Sequence, residues 1–187
     1  MELKPWKLLD SKDAFKNKWW HIVQETVELP DGTVTDDYWV NHTGGAVAVL
    51  ALTEDGRVLV NRQYKHGVRE VVHELTIGRI DGDDDGALEE AKRELLEETG
   101  YGGGDWEALG MMVSNPTSST SRLHTYLARG VRKLAEPKKD PKEIVEVREI
   151  APGELLRMAF AGELETSPTL AIVLLAAKRL GWISETV

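Results

Sequence analysis

Ala87-Leu88-Glu89-Glu90-Ala91-Lys92-Arg93-Glu94-Leu95-Leu96-Glu97-Glu98-Thr99-Gly100 is the segment around which the rest of this chain can be arranged. Leu88, Ala91 and Leu95 recur at helical spacing and Gly100 stands where helices commonly end, so the spacing predicts an amphipathic helix over 87–99. Side chains four apart on a helix differ by about 40° in direction and those three apart by about 60°. Glu90, Glu94, Glu97 and Glu98 therefore share one face beside the apolar stripe. Like charges so placed repel by about a few tenths of a kcal/mol per pair, and the dipole disfavours anions at the carboxyl end. Local stability does not select such a cluster. A Glu-rich helix is ordinarily a solvated face, but this one follows a glycine- and aspartate-rich loop, Gly78 to Gly86. In that setting a hard dication with oxygen ligands relieves both penalties.

Working outward, apolar, β-branched runs read as strands. Gly45 to Leu52 and Arg57 to Tyr64 flank Glu54-Asp55-Gly56 and predict a hairpin. Trp19 to Leu29 and Val34 to Val40 flank Pro30-Asp31-Gly32 and predict a second hairpin near the amino terminus. Further strands are expected over Arg69 to Leu75, Trp106 to Val113, Leu123 to Ala128 and Ile144 to Ile150. Helices are expected from Pro152 to Ala161 and from Ser167-Pro168, with Ser167 as cap and Leu170 to Leu180 as the body. The fold class is α+β, a sheet-rich core with helices packed outside. Residues 1–42 form an amino-terminal β element and 43–187 the main domain.

Composition narrows the function. With 41% apolar residues among 187, the chain can bury a core without disulfides. It has no cysteine, which excludes thiol nucleophiles and thiolate zinc sites. A net charge of −9 argues against nucleic acid and anionic membrane as partners. Neither a secretory leader pattern nor a membrane-spanning run is present, so a soluble, cytoplasmic protein is expected. His21, His42, His66, His73 and His124 lack zinc-ligand spacing. Ser118 to Ser121 lacks the context of a nucleophilic serine. Asp81, Asp83, Asp85 and Gly86 imitate the opening of a calcium loop, but Lys92 occupies the position that needs a bidentate Glu, and Val71 to Ile77 reads as strand.

Arg93-Glu94-Leu95-Leu96-Glu97-Glu98-Thr99-Gly100-Tyr101 resembles the second half of the Nudix box, the signature of the Nudix hydrolases. Its first half departs from the pattern. Counting back from Arg93 puts Asp85 where a Glu is usual and Arg79 where a Gly is usual, with Gly78 one residue early, as a one-residue insertion would produce. Arg62-Gln63-Tyr64-Lys65 and Glu74-Leu75 ahead of Gly78 are similar to the ADP-ribose pyrophosphatase group, as is Pro116, fifteen residues beyond the box.

The resemblance implies mixed and antiparallel sheets sandwiched between helices. It also implies hydrolysis of a nucleoside diphosphate linked to another moiety, ADP-ribose first, giving AMP and ribose 5-phosphate. Other nucleotide sugars, dinucleotides and a non-catalytic nucleotide-binding regulatory role are the alternatives. Carried over, Glu94 and Glu98 are metal ligands for Mg2+, or Mn2+, with Glu97 next and the carbonyl of Ile77 added. Arg93 orients the carboxylates. Glu143 is the first candidate for general base, with Asp140 and Glu146 behind it. Arg62, Glu74 and Pro116 are expected at the substrate, and Trp19 and Trp20 are candidates for stacking on a nucleobase. The amino-terminal element is similar to the segment through which such enzymes form homodimers.

Overall fold

The computed structural model describes residues 3–80, 84–138 and 144–184. The amino-terminal element is a three-stranded antiparallel sheet in the order β1 (Lys7–Lys16), β2 (His21–Glu28), β3 (Val34–Asn41). The predicted hairpin is β2 and β3, turned at Gly32 with φ 86°. β1 is an addition that sequence periodicity misses, because every residue of it is exposed and its register with β2 shifts twice. A strand with no buried face has no reason to alternate.

The main sheet is built around β4 (Ala46–Thr53), buried along nearly its whole length. Such a run is apolar on both faces because helices cover both. Val47, Val49 and Ala51 pack with Ala87, Ala91 and Leu95 of α1 (Ala87–Thr99). Ala48, Leu50 and Leu52 pack on the other side with residues of α2 (Pro152–Phe160) and α3 (Ser167–Arg179), among them Leu155, Ile172 and Ala176. The result is a helix, sheet, helix sandwich, with β10 (Leu123–Lys133) parallel to β4 and its other pairings antiparallel. Thr166 rather than Ser167 is the cap residue of α3, and Ser167-Pro168 forms its first turn.

The expected hairpin of β4 and β5 (Val58–Lys65) survives only at its base, where Leu52 pairs with Val58. Beyond that point the strands part. β5 takes β11 (Val145–Ile150) and β6 (Glu70–Glu74) as neighbours, whereas β4 takes β10 and β7 (Thr76–Arg79). The chain crosses from β6 to β7 through Leu75, which is fully buried and whose N–H donates to Thr169 Oγ1 of α3 at 3.1 Å. β8 (Tyr101–Gly102) and β9 (Asp105–Met112) complete the sheet against β10. β6 and β7 leave no helix before the aspartate-rich loop, as a calcium loop would require; Asp81 and Asp83 lie outside the described residues.

α1 follows a short 3-10 turn at Asp84–Gly86 and ends at Gly100, whose φ of 75° lets its N–H donate to Leu96 O at 2.8 Å. Its buried row is Ala87, Ala91, Leu95 and Thr99, with Leu88 at the margin of the stripe. This places the acidic face over the parting of β4 and β5. Among the described residues, no helix is long and apolar enough to cross a membrane.

Candidate active site

Arg93 organises the acidic face. Its Nε and Nη2 donate to both oxygens of Glu90 at 3.0 and 2.5 Å, Nη1 lies 2.8 Å from Glu97 Oε2, and Nη2 also donates to Glu94 Oε1. One guanidinium thus holds three carboxylates, an arrangement its planar fork permits and an ammonium does not.

Glu94 and Glu98 turn inward from this clamp. Glu94 lies against Gly78 of β7, where an added Cβ would sit 2.1 Å from Glu94 Cγ. Glu98 bridges the parted strands: Asn61 Nδ2 of β5 donates to its Oε2 at 2.8 Å, and Thr76 of β7 hydrogen-bonds to it. Burial, then the charge of Glu94, pushes Glu98 up to about 8, against the opposing pull of Lys65. Burial also raises Glu94, although Arg93 beside it works the other way. Glu97 behaves differently. Burial is the largest influence and pushes it up, but hydrogen bonds from Lys138 and Arg93 outweigh this and hold it below the usual carboxylate range. Lys138 Nζ is 3.2 Å from Glu97 Oε2, and its backbone N–H donates to Glu97 O at 2.7 Å.

Strand β5 contributes a row of donors on one face. Asn61, Gln63 and Lys65 alternate inward: Asn61 holds Glu98, while Gln63 Nε2 and Lys65 Nζ each lie 2.5 Å from Glu74 Oε1. Glu74 is buried and stands opposite Asn61 in the β5–β6 register. Arg62 projects from the other face of β5, where Nη1 donates to Glu146 Oε2 at 3.0 Å.

Among the residues expected from sequence, Arg93, Glu94, Glu97, Glu98 and Glu74 are thus brought together, and Arg62 is not. Ile77 is half-buried in β7, beside Gly78. Pro116 is in an exposed loop tied to the amino-terminal sheet, where Tyr38 Oη donates to Thr117 O at 2.7 Å and Asn41 N to Ser118 O at 2.9 Å. Glu143 and Asp140 lie outside the described residues. Trp19 lies over Arg79, with the guanidinium carbon 5.3 Å from its ring centre, so the amino-terminal sheet reaches the residue next to Gly78. Asn61 escaped sequence reasoning. The signal was the change within Val58-Leu59-Val60-Asn61-Arg62-Gln63-Tyr64-Lys65 from an apolar run to polar residues on alternate positions.

Do these groups suit a cation? Among the described residues, no three acidic or imidazole side chains already converge as a cage. Glu97 is turned to Lys138 instead. Yet Glu94 and Glu98 carry carboxylates whose ionisation burial opposes, and besides the Arg93 guanidinium on Glu94 the groups that hydrogen-bond to them are an amide and a hydroxyl, with no sulfur or imidazole. Such a set fits a hard oxygen-seeking dication, which would restore the charged forms.

A mixed sheet between helices, with a clamped carboxylate helix over a parting in the sheet, defines a class of protein that known sequences identify. Residues 42–170 match the NUDIX domain and residues 6–41 the nucleoside diphosphate sugar hydrolase N-terminal domain. The chain belongs to the Nudix family and is a Nudix hydrolase. An ADP-ribose pyrophosphatase of Bacillus subtilis is 29% identical over 164 residues, which span 87% of this chain and 88% of that protein. One of Mycobacterium tuberculosis is 30% identical over 152 residues, 81% of this chain and 73% of that protein. A methanol dehydrogenase activator of Bacillus methanolicus is 28% identical over 168 residues, 89% and 90% of the two chains. The crystal structure of an ADP compounds hydrolase superposes with a TM-score of 0.83 at 17% identity, covering 97% of each chain, which establishes the common fold.

Proposed function

We propose that the chain is a divalent-cation-dependent pyrophosphohydrolase of nucleoside diphosphate derivatives, with ADP-ribose as first substrate and AMP and ribose 5-phosphate as products. The observation that carries this is the inward pair Glu94 and Glu98, half-buried against β5 and β7, with Glu94 packed on Gly78 and Glu98 hydrogen-bonded by Asn61 and Thr76. The names of the Bacillus subtilis and Mycobacterium tuberculosis relatives support the substrate.

Glu94 and Glu98 are the principal ligands of Mg2+, with Mn2+ the alternative; Glu97 and the Ile77 carbonyl add to the set. The bound cation shields the phosphates and acidifies water. Arg93 keeps the carboxylates in place and does not react, since its donors are taken by Glu90, Glu94 and Glu97. Glu143 is the proposed base. Glu74, on the same face as Glu98, and Pro116 meet the substrate, and Arg62, which pairs with Glu146 on the other face of β5, meets a part of it away from the carboxylates. A cytoplasmic homodimer joined through residues 1–42 completes the proposal, supported by the apolar side chains that this element exposes, Trp20 and Phe15 each at 54%.

The test is hydrolysis of a panel of ADP-ribose, other nucleotide sugars and dinucleotides, with products separated by chromatography and EDTA as control. AMP and ribose 5-phosphate formed from ADP-ribose only when Mg2+ is supplied support the proposal. Hydrolysis indifferent to EDTA, or no hydrolysis of any member, overturns it.

A further inference from the structure

We infer that Asn61 is the positioning residue of Glu98, fixing one carboxylate oxygen so that the other is presented to the divalent cation. The inference rests on the cation site proposed above and concerns a residue outside the acidic helix.

Asn61 is 1% exposed in a strand whose preceding residues, Val58, Leu59 and Val60, are buried and apolar. Packing alone would be served there by a leucine of similar size. The carboxamide is instead committed to polar partners: Nδ2 donates to Glu98 Oε2 at 2.8 Å and lies 3.4 Å from Thr76 Oγ1. Its Oδ1 is buried with no hydrogen-bond partner among the described residues. An orphaned buried carbonyl oxygen costs stability. The side chain is therefore a poor choice for the fold and a suitable one for orienting Glu98.

The chemistry of the donor matters as much as its place. Glu97, the more exposed carboxylate, is held by two cations, Arg93 and Lys138, which compete with any metal for its charge. Glu98 is hydrogen-bonded instead by neutral groups, the Asn61 amide and the Thr76 hydroxyl, which orient the carboxylate without a cation neutralising it. Lys65, the cation on the same face of β5, is engaged 2.5 Å from Glu74, where Gln63 also donates. The inner row of β5 thus gives its neutral short donor to Glu98 and its cation to Glu74. Partners of this kind govern how well a ligand is pre-aimed, and their loss typically weakens metal binding by roughly 10–100-fold.

The full chain and its Asn61→Leu and Asn61→Ser variants are titrated with Mn2+ and free Mn2+ is followed by electron paramagnetic resonance. Folding is checked by thermal melting in EDTA. Both substitutions remove the amide donor, one keeping the volume and the other reducing it, so either suffices if the other fails to fold. The expected result is Mn2+ affinity reduced by roughly 10–100-fold, a parallel rise in the Mg2+ concentration needed for activity, and a smaller loss of kcat at saturating Mg2+. A purely structural Asn61 would lower the melting temperature and leave Mn2+ affinity alone. Folded variants binding Mn2+ within about twofold of the wild type, far short of that loss, overturn the inference. Absence of Mn2+ binding to the wild type overturns the cation site itself, a distinct outcome. The side-chain amide resonances of wild-type Asn61 supply an independent reading, since they shift on Mg2+ addition if Glu98 is a ligand and stay fixed if it is not.

Discussion

The side chain of Glu94 lies across the bare Cα of Gly78, so close that a methyl group there would stand 2.1 Å from its Cγ. Gly78, and not Arg79, is therefore the glycine that matters to the acidic helix. Gly78→Ala forces the Glu94 side chain aside while leaving the strand backbone able to stay. The expected outcome is at least a tenfold loss of kcat/KM, about 1.4 kcal/mol of transition-state stabilisation. Steady-state kinetics beside a melting curve check this; a large fall in melting temperature with unchanged turnover per folded molecule would refute it.

Glu98 makes stability depend on pH. Its carboxyl is raised from 4.5 to about 8 by burial first and then by Glu94. A folded-state value above the unfolded one means that the contribution is fully present below pH 4.5 and is lost as pH rises through about 8. In EDTA, Glu98→Gln should therefore gain stability relative to the wild type between pH 5.5 and 8.5, by an amount on the order of a few kcal/mol at most. The same variant should lose turnover while keeping its fold. Melting temperatures of both proteins across that range, with kinetics at one pH, decide the matter.

Lys138 Nζ stands 3.2 Å from Glu97 Oε2, where it would compete with a cation that Glu97 helped to bind. The pair is largely exposed, so it is worth about 1 kcal/mol or less, up to roughly a fivefold effect. Lys138→Met should lower the Mg2+ concentration for half-maximal activity by that factor or less, most visibly at low ionic strength. A rise in that concentration would show that Lys138 supports the site.

The exposed apolar residues of the three-stranded sheet, with β1 an unpaired edge, call for a cover. Sedimentation at micromolar concentration is expected to give a dimer, and removal of 1–41 to abolish it. A monomeric full-length chain would contradict this.

The legibility of the sequence varied with the range of the interactions involved. α1 could be read to its first and last residues, because its period, its carboxylates and Gly100 are local signals. The burial of Ala87 and Thr99 shifts its stripe by one residue from the one Leu88 suggested. β4 and β5 looked like a hairpin because a turn joins them, but their partners are fixed by packing from elsewhere in the chain, and they pair only at Leu52 and Val58. That parting makes room for Glu98 between Asn61 and Thr76, so it was invisible for the same reason as Asn61. Gly78 stood one position away from the family spacing, and only its contact with Glu94 shows its part. Arg62 was singled out for chemistry alone, and chemistry does not say which face a strand residue takes: alternation along β5 puts it opposite the carboxylates, beside Glu146.

Soaking crystals in MnCl2 and measuring anomalous scattering tests the central claim most directly. A Mn2+ peak coordinated by Glu94 and Glu98, and absent from Glu98→Gln crystals treated alike, is the expected result. Manganese bound elsewhere, with these two carboxylates unliganded, would contradict it.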